Sequence, residues 1–372
     1  MKTFQNAIII LLFFVGSPLW AQNDTTKKST PVQLTFLYPI GSNGMNSPQY
    51  TNNVSLNMIY GINGSVHGLE LAGIGNVLKS NMTGVQMAGI TNITAGYVNG
   101  IQCAGIYNHT NARVTGAQMG GIANIAMKGV DGLQIGGITN ISRHNTTGLQ
   151  ISGIYNWSHG NTSGAQVSGI YNRADKKFYG LQLAMINSAK NITGLQIGLI
   201  NVADSADGVS FGLINVIKNG YHSLEVSGNE VLPLGIALKS GTNTLYNIYY
   251  AGVQVNNPQV FGFGLGFGSN IQLGSNLSMS MDVTSNYINE LKKFEWKLNL
   301  LNRLDMTMNY DINKHFTILA GPSFNVHVSE LGYESTGGFT TAIAKNPFYT
   351  ETFYQTQVQM WIGAKFGARF NF

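Results

Sequence analysis

Histidine, cysteine and glycine-rich segments are the features of this sequence whose residue types could support catalysis or ligand binding. The seven histidines lie at positions 67, 109, 144, 159, 222, 315 and 327, and none has the close spacing of a two-histidine metal motif. Cys103 fills a repeat position where methionine or isoleucine stands elsewhere, which indicates a small hydrophobic side chain. The glycines of segment 262–268 (GFGLGFG) alternate with Phe and Leu, which predicts a strand rather than a phosphate-binding loop. We therefore predict no catalytic residue, no metal ligand, no cofactor and no enzyme.

Composition separates this chain from ordinary soluble domains. Only 10% of the 372 residues are charged, 44% are hydrophobic and 46 are glycine, whereas a soluble domain has about 25% charged residues. The single cysteine excludes an intrachain disulfide and a cysteine-based zinc site. The net charge of +5 is too small to indicate a nucleic-acid partner. The composition predicts ordered structure with little surface facing water.

The first residues have the pattern of a secretory signal. Lys2 precedes an apolar run at residues 7–15, and a small residue, Ala21, follows. The run is shorter than the about 20 residues that a membrane-spanning helix needs. We predict a signal peptide at residues 1–21 and a flexible polar leader at 22–30. An exported chain of low charge is then either a soluble secreted or periplasmic protein or an outer-membrane β-barrel.

The C-terminal segment 356–372 alternates over its whole length. Its even positions include Ile362, Phe366 and Phe370, and its odd positions are mostly polar or glycine. Alternation of this kind predicts a β-strand with one apolar face. Its length, its alternation and the terminal Phe372 together resemble the closing strand of outer-membrane barrels. The resemblance implies that the terminal aromatic residue is part of the assembly signal, with outer-membrane lipid and the barrel-assembly machinery as partners.

Residues 222–372 contain further segments that alternate in the same way, and we predict that they are strands of a C-terminal barrel. Their connections are long at 330–354, short at 312–314, longer at 288–295 and short at 274–276, which is the order expected of outer-membrane barrels. A soluble β-sandwich is the alternative, although its exposed faces would carry more charge. The polar phase of these strands predicts six charged side chains that face the lumen, namely Lys297, Arg303, Asp305, Asp311, Lys365 and Arg369.

Residues 68–221 form an array of repeats. Glycines recur every sixteen residues from Gly68 to Gly180, and two further steps of fourteen lead to Gly194 and Gly208. The units follow the consensus G-x-Q-x-small-G-I-x-N, and charged residues stand in the connectors between them. The repeat residues with a predicted structural role are Gly84, Gly100, Gly116, Gly132, Gly148, Gly164, Asn92, Asn108, Asn124, Asn140, Asn156 and Asn172.

The repeated residues are predicted to build the fold rather than to bind a ligand. The second glycine of each unit, such as Gly137, could form a bulge that absorbs the extra residue of the longer units. The repeated Gln and Asn side chains are predicted to form hydrogen-bonded ladders between neighbouring units.

Two architectures fit the repeats. In the first, each unit is one membrane-spanning strand of about 9 to 11 residues. The N-terminal strands of residues 31–67, the repeats and the C-terminal strands then form one antiparallel barrel of about 20 strands. In the second, each unit is one coil of a parallel β-solenoid, followed by a smaller C-terminal barrel. Equal connector lengths favour the solenoid, whereas the absence of charge within the strands favours the barrel, which we prefer on that ground.

The units of the array, such as GLQIGLIN at residues 194–201, resemble those of exported surface-repeat proteins of Gram-negative bacteria that carry GLQxGLxN repeats. The resemblance covers about residues 53–220 and implies a location at the cell surface or in the outer membrane, without implying an activity. We expect a non-enzymatic outer-membrane barrel that is a passive, porin-like channel or a structural surface protein. The alternative is a surface-exposed repeat module for adhesion or partner binding, anchored by a small barrel. That module would present Gln, Asn and the tyrosines Tyr107, Tyr155 and Tyr171 to an unknown surface partner.

Overall fold

A computed structural model describes residues 28–290, 297–330, 343–344 and 346–372. The fold is all-β, as predicted. The chain divides into two compact units, residues 1–176 and residues 177–372. Among the described residues, no helix combines the length and the apolar character needed to cross a membrane. The predicted signal peptide and most of the predicted leader lie outside the described residues.

The first unit is a stack of parallel coils. Its strands are β1 (Lys28–Leu37), β2 (Ile40–Gly41), β3 (Tyr50–Asn63), β4 (Ser65–Ala72), β5 (Gly75–Leu78), β6 (Met82–Ala88), β7 (Thr91–Thr94), β8 (Val98–Ala104), β9 (Tyr107–Thr110), β10 (Val114–Gly120), β11 (Ala123–Ala126), β12 (Val130–Gly136), β13 (Thr139–Ser142), β14 (Thr146–Ser152), β15 (Tyr155–Ser158) and β16 (Thr162–Ser168). A 3-10 helix at Gly44–Gln49 lies between β2 and β3, and β17 (Tyr171–Leu183) begins in this unit.

The sixteen-residue repeat determines which strands pair. Gly116 of β10 lies opposite Gly100 of β8 and Gly132 of β12 in parallel register, so that each residue stacks on its equivalent in the next coil. The short strands stack in the same way, as Asn124 of β11 does on Asn140 of β13. One coil therefore consists of a strand of 7 residues, a Gly-Ile corner, a strand of 4 residues and a polar corner. Long strands pair with long strands and short strands with short strands, so that two parallel rows of strands run along the stack.

The interior of this stack combines apolar and amide side chains. The apolar part is one buried cluster that runs from coil to coil and consists of Val66, Leu78, Met82, Val98, Val114, Ala126 and Val130. A single coil cannot bury such a row by itself, whereas stacked neighbours form a continuous core. Stability thus comes from the contacts between neighbouring repeats rather than from a single repeat.

The second unit begins with shorter coils. Its strands are β18 (Ile186–Ile197), β19 (Ile200–Ala206), β20 (Val209–Phe211) and β21 (Ile214–Ile217), after the end of β17. They pair in parallel with a shift of fourteen residues, so that Asn201 lies between Asn187 and Asn215. The solenoid geometry therefore persists in this unit with a smaller coil.

A closed antiparallel barrel follows the coils of the second unit. Its strands are β22 (Tyr221–Asn229), β23 (Leu234–Gly241), β24 (Tyr246–Gln254), β25 (Asn257–Gln272), β26 (Leu277–Asn289), β27 (Asn299–Asp311), β28 (Phe316–Ser329) and β30 (Thr356–Asn371), and β29 (Tyr349–Phe353) forms a hairpin with β30. Each strand pairs with the next, and β22 closes the barrel against β30.

The predicted barrel of about 20 strands is wrong, and the alternative of a solenoid followed by a small barrel is confirmed. Residues 31–67 belong to β1 to β4 and are coils of the solenoid, in which β1 pairs in parallel with β3. Antiparallel barrel strands alternate between two kinds of connection. Parallel coils repeat the same connection, and equal spacing is therefore the signature of the solenoid.

Candidate functional site

A ladder of glutamine side chains follows the long strands through the interior of the first unit. Gln102 Nε2 donates to Gln86 Oε1 at 2.7 Å, and Gln118 Nε2 donates to Gln102 Oε1 at 2.8 Å. The pattern continues through three more coils in the same direction, with donors Gln134, Gln150 and Gln166. All of these side chains are 0% exposed. Each buried amide is thus satisfied by its neighbours, as buried polar groups must be.

A second ladder, made of asparagine, follows the short strands in the opposite direction. Asn92 Nδ2 donates to Asn108 Oδ1 at 3.0 Å, so that each donor points towards the next coil rather than the preceding one. The same amide also donates to the carbonyl of Cys103 at 2.8 Å. The predicted repeat asparagines Asn92, Asn108, Asn124, Asn140, Asn156 and Asn172 all lie in this ladder. At 0% exposure they are inaccessible to a partner, unlike the expectation that they are presented to one.

The glutamine ladder ends on a buried carboxyl group, Glu70. Its Oε2 accepts from Gln86 Nε2 at 2.7 Å, and its Oε1 accepts from Asn63 Nδ2 at 2.6 Å and Asn57 Nδ2 at 3.3 Å. Burial raises the pKa of Glu70 to about 7, and the hydrogen bonds from Asn63, Gln86, Asn57 and Ser55 oppose that rise. The ladder therefore contains one group that changes charge near neutral pH.

Replacing Glu70 by glutamine should remove a pH-dependent part of the stability. Because the folded pKa of about 7 lies above the usual 4.5, the folded state binds more protons between these values, and stability falls as pH rises. The loss should reach about 3 kcal/mol above pH 7. Denaturant unfolding of both proteins, followed by circular dichroism at acidic, intermediate and alkaline pH, measures it. In Glu70→Gln, the free energy of unfolding should no longer fall by this amount as the pH rises. An equal fall in the variant would assign the pH dependence to another group.

The first glycine of each repeat has a backbone conformation that favours glycine. The φ angles of Gly84, Gly100, Gly116, Gly132, Gly148 and Gly164 lie between 116° and 139°. A Cβ atom at Gly116 would lie 2.1 Å from the carbonyl oxygen of Gly100 in the preceding coil. The second glycine, such as Gly137, lies at the corner between two strands instead of at the predicted bulge, and its Cβ would lie 2.0 Å from the Gly121 oxygen. Both glycines allow close stacking of coils.

The outer face of the first unit is apolar at one corner of every coil. The corner isoleucines are exposed, from 37% at Ile106 to 46% at Ile170, and comprise Ile74, Ile90, Ile106, Ile122, Ile138, Ile154 and Ile170. Beside this row runs an apolar groove of about 720 Å³ lined by residues including Met87, Cys103, Met119 and Ile135. Burial raises the pKa of the Cys103 thiol, which keeps it protonated. The face can offer apolar contact but no reactive group.

Aromatic side chains occupy the outer face of the short strands. The rings of Tyr155 and Tyr171 stack with centroids 5.4 Å apart, and the Arg173 guanidinium lies 5.9 Å from the centre of the Trp157 ring. Trp157 Nε1 donates to Asp175 at 2.9 Å. Burial raises the pKa of Tyr155 to about 12, so its hydroxyl remains a donor. Tyr155 and Tyr171, two of the three predicted contact tyrosines, thus belong to a polar and aromatic surface.

The interior of the barrel is filled by a network of charged side chains. Glu225 lies 2.7 Å from Lys239, 2.7 Å from Lys365 and 3.0 Å from Arg369, measured between nitrogen and oxygen atoms. Asp282 pairs with Lys239 at 2.6 Å. Glu225, Lys239 and Asp282 are 0% exposed. Such charges are tolerated in an interior only when they are paired and hydrogen-bonded.

The predicted lumen residues fall into two groups. Arg303, Asp305, Lys365 and Arg369 lie inside the barrel with at most 7% exposure, and Arg303 pairs with Asp305 at 2.9 Å. Asp311 is half-buried at the end of β27, where it accepts a hydrogen bond from Thr317, and Lys297 is exposed before β27 begins.

The centre of the network, Glu225, Lys239 and Asp282, was missing from that prediction. Each is a charged residue in the polar phase of an alternating strand, as Lys239 is between Leu238 and Ser240. That phase was the signal that could have identified them.

Two further features fill the barrel. Inward glycines make room for large side chains, since a Cβ at Gly268 would lie 2.3 Å from both Asp282 and the Tyr246 ring. At the end with the longer connections, an apolar cluster occupies the interior and consists of Val231, Leu232, Ile288, Leu301, Ile343 and Trp361. The described strands therefore enclose a packed interior, as expected of an eight-stranded barrel.

The outer wall of the barrel is apolar. Large hydrophobic side chains with at least 42% exposure stand on seven of the eight barrel strands, and they include Val226, Leu238, Leu265, Val283, Met306, Ile318, Ile362 and Phe366. Water-soluble proteins rarely expose apolar patches of this extent. The barrel is thus polar inside and apolar outside, which is the inverse of a soluble domain.

Side chains from the barrel wall cap the last coil of the second unit. Asn215 continues the asparagine ladder by donating to Asn247 of β24. Asn247 Nδ2 donates back to the carbonyls of Gly212 at 2.7 Å and Leu213 at 3.0 Å. Ser240 Oγ donates to the carbonyl of Asn215 at 2.8 Å. An open strand edge invites pairing with other chains, and here the barrel satisfies it.

No group of three or more His, Cys, Asp or Glu side chains in the described ranges is arranged to hold a metal ion. Comparison of the chain with protein-family models, with curated proteins and with solved structures gave no match. The function must therefore be argued from the geometry alone.

Proposed function

We propose that this chain is a non-enzymatic outer-membrane protein in which an eight-stranded barrel anchors a β-solenoid that binds a partner. The observation that carries the proposal is the inverted barrel, with exposed Leu265 and Val283 outside and buried Glu225 and Lys239 inside. In a bilayer the apolar wall contacts lipid, and the closed sheet satisfies every backbone group.

A passive channel is not the function that this interior favours. Barrels that conduct freely have many more strands and a water-filled lumen. Here Lys239, Lys365 and Arg369 converge on Glu225 across the interior. Opening a path would separate buried charges that stabilise one another, at a cost of several kcal/mol. An anchor agrees better with the packed interior than a porin-like pore does.

The binding role of the solenoid rests on its outer surfaces. The groove beside Met87 and Met119 is apolar, and methionine-rich surfaces adapt to different partners. The surface around Tyr155, Trp157 and Arg173 adds aromatic and charged contacts, which are the residue types enriched in binding hot spots. The ladders hold these surfaces on a rigid repeating frame.

Membrane insertion and conductance of the mature full chain test the proposal. We expect the chain to fractionate with outer membranes and to migrate faster on gels before heating than after, as compact barrels do. In a planar bilayer of phosphatidylcholine, we expect insertion without stable conductance steps, because charged and apolar side chains fill the barrel. Recovery of the chain in the soluble fraction would contradict the membrane anchor. Stable conductance steps would instead support a channel.

A further inference from the structure

The coils of the second unit have two chemically different corners. The apolar corner consists of Met185, Leu199 and Leu213, which are 47–54% exposed. The charged corner consists of Lys190, Asp204 and Lys218, which are also exposed. Because each row repeats every fourteen residues in a parallel stack, both corners form continuous lines along these coils. Lys190, Asp204 and Lys218 thus form a charged line apart from the apolar one.

The apolar corner of the last coil lies against the apolar wall of the barrel. The rings of Phe211 and Phe267 stack with centroids 5.1 Å apart. The carbonyl of Leu213 accepts a hydrogen bond from the Tyr249 hydroxyl. Phe267 belongs to the outward row of β25, next to the 52% exposed Leu265. The apolar surface of the coil is therefore continuous with that of the barrel.

The two corners contact the barrel at different positions along its axis. Tyr249 is three residues beyond the start of β24 at Tyr246, so the apolar corner contacts the wall above its rim. Ile217, next to the charged corner, accepts a hydrogen bond at 2.6 Å from His222, the second residue of β22. The charged corner therefore stays at the end of the barrel where the chain enters and leaves.

All three connections at that end are short turns, at residues 242–245, 273–276 and 312–315. The opposite end has two short connections, at 230–233 and 255–256, and the two longer ones, at 290–298 and 330–348. Outer-membrane barrels have short turns on the periplasmic side and longer loops outside. By that rule, the end on which these coils pack corresponds to the periplasmic end of an outer-membrane barrel.

We infer that the apolar corner of the second-unit coils is inserted into the periplasmic phospholipid leaflet of the outer membrane, while the charged corner faces the periplasm. This inference rests on the proposed membrane anchor. Interfacial elements bury an apolar face about 5–10 Å into the boundary between headgroups and acyl chains and keep their charged face in water. Met185, Leu199 and Leu213 provide such a face beside a wall that contacts lipid.

A fluorescent label placed at each corner of the full chain tests this arrangement. The background is Cys103→Val, because Val167 occupies the equivalent position in another coil. Leu199→Cys reports the apolar corner, Asp204→Cys is the matched control on the charged corner, and Leu265→Cys reports the barrel wall. Each protein, labelled with an environment-sensitive dye, is reconstituted into phosphatidylcholine vesicles with and without doxyl-labelled acyl chains.

Quenching by the doxyl lipid should be several-fold stronger at position 199 than at position 204, and strong at position 265. Equal, weak quenching at 199 and 204 together with strong quenching at 265 would overturn the inference and leave the anchor intact. Weak quenching at all three positions would overturn the anchor itself.

The side of the membrane is tested in intact cells. A membrane-impermeant maleimide should label Asp204→Cys only after the outer membrane has been permeabilised, because the charged corner faces the periplasm. Phe348→Cys is the matched control, because Phe348 is 64% exposed in the long connection, and it should react in intact cells. Labelling of Asp204→Cys in intact cells would overturn the periplasmic placement.

Discussion

Glu225→Gln should lower the free energy of unfolding of the barrel by about 3–5 kcal/mol. The carboxylate contacts Lys239, Lys365 and Arg369 within 3.0 Å and is 0% exposed, so its loss leaves three buried cations without their shared counter-charge. Urea titration of the detergent-folded full chain, with the heat-modifiable gel band as readout, measures the change. Glutamine keeps the shape of the side chain, and the effect therefore reports charge.

Two companion variants identify the cause of that loss. Adding Arg369→Met to Glu225→Gln removes one unpaired cation, and the double variant should be less destabilised than the sum of the two single changes. Asp131→Asn breaks an exposed ion pair with Arg113, whose atoms are 3.6 Å apart, and should cost less than about 1 kcal/mol. Additive effects in the first case would contradict a coupled network.

Gly116→Ala should destabilise the solenoid by several kcal/mol. Its φ of 121° is unfavourable for alanine, and the new Cβ would lie 2.1 Å from the Gly100 carbonyl oxygen, which itself belongs to the parallel backbone pairing. Strain of this kind costs about 1–3 kcal/mol before the clash is added. Denaturant unfolding monitored by circular dichroism measures the shift in midpoint.

The neighbouring residue provides the control for this change. Ala117 is partly exposed on the outer face, and the equivalent positions in the next two coils are Leu133 and Leu149. Ala117→Leu should therefore leave the stability nearly unchanged although it adds more atoms. If Gly116→Ala is tolerated as well as Ala117→Leu, the close stacking of coils is not what keeps this position glycine.

The two variants should also differ in which unit they affect. Gly116 lies in the first unit and Glu225 in the barrel of the second. For Gly116→Ala we expect the solenoid to unfold at lower denaturant concentration by circular dichroism, with an unchanged heat-modifiable band. For Glu225→Gln we expect the heat-modifiable band to be lost at lower denaturant concentration, with unchanged unfolding of the solenoid. That contrast measures how independently an anchor and its repeat module unfold.

Sequence patterns predicted the local elements of both parts. The alternation in residues 356–372 predicted the last strand, which the structure has at Thr356–Asn371. The recurring Gln and Asn predicted ladders, because identical residues at a fixed spacing can meet only their equivalents in neighbouring units. Sequence alternation likewise indicated that Arg303, Asp305, Lys365 and Arg369 share the polar phase of barrel strands, and the structure places them inside.

The sequence by itself determined the repeat length, the strand phases and the scarcity of charge within the repeat strands, but only the tertiary structure decided whether those repeats cross a membrane or stack on one another. Low charge is typical of a lipid-facing strand, but parallel stacking also excludes charged side chains. Neighbouring strands lie about 4.8 Å apart, so a repeated charge would face its like in every coil. The network at Glu225 was equally hidden, because its partner Arg369 is 144 positions away and only closure of the barrel brings them together.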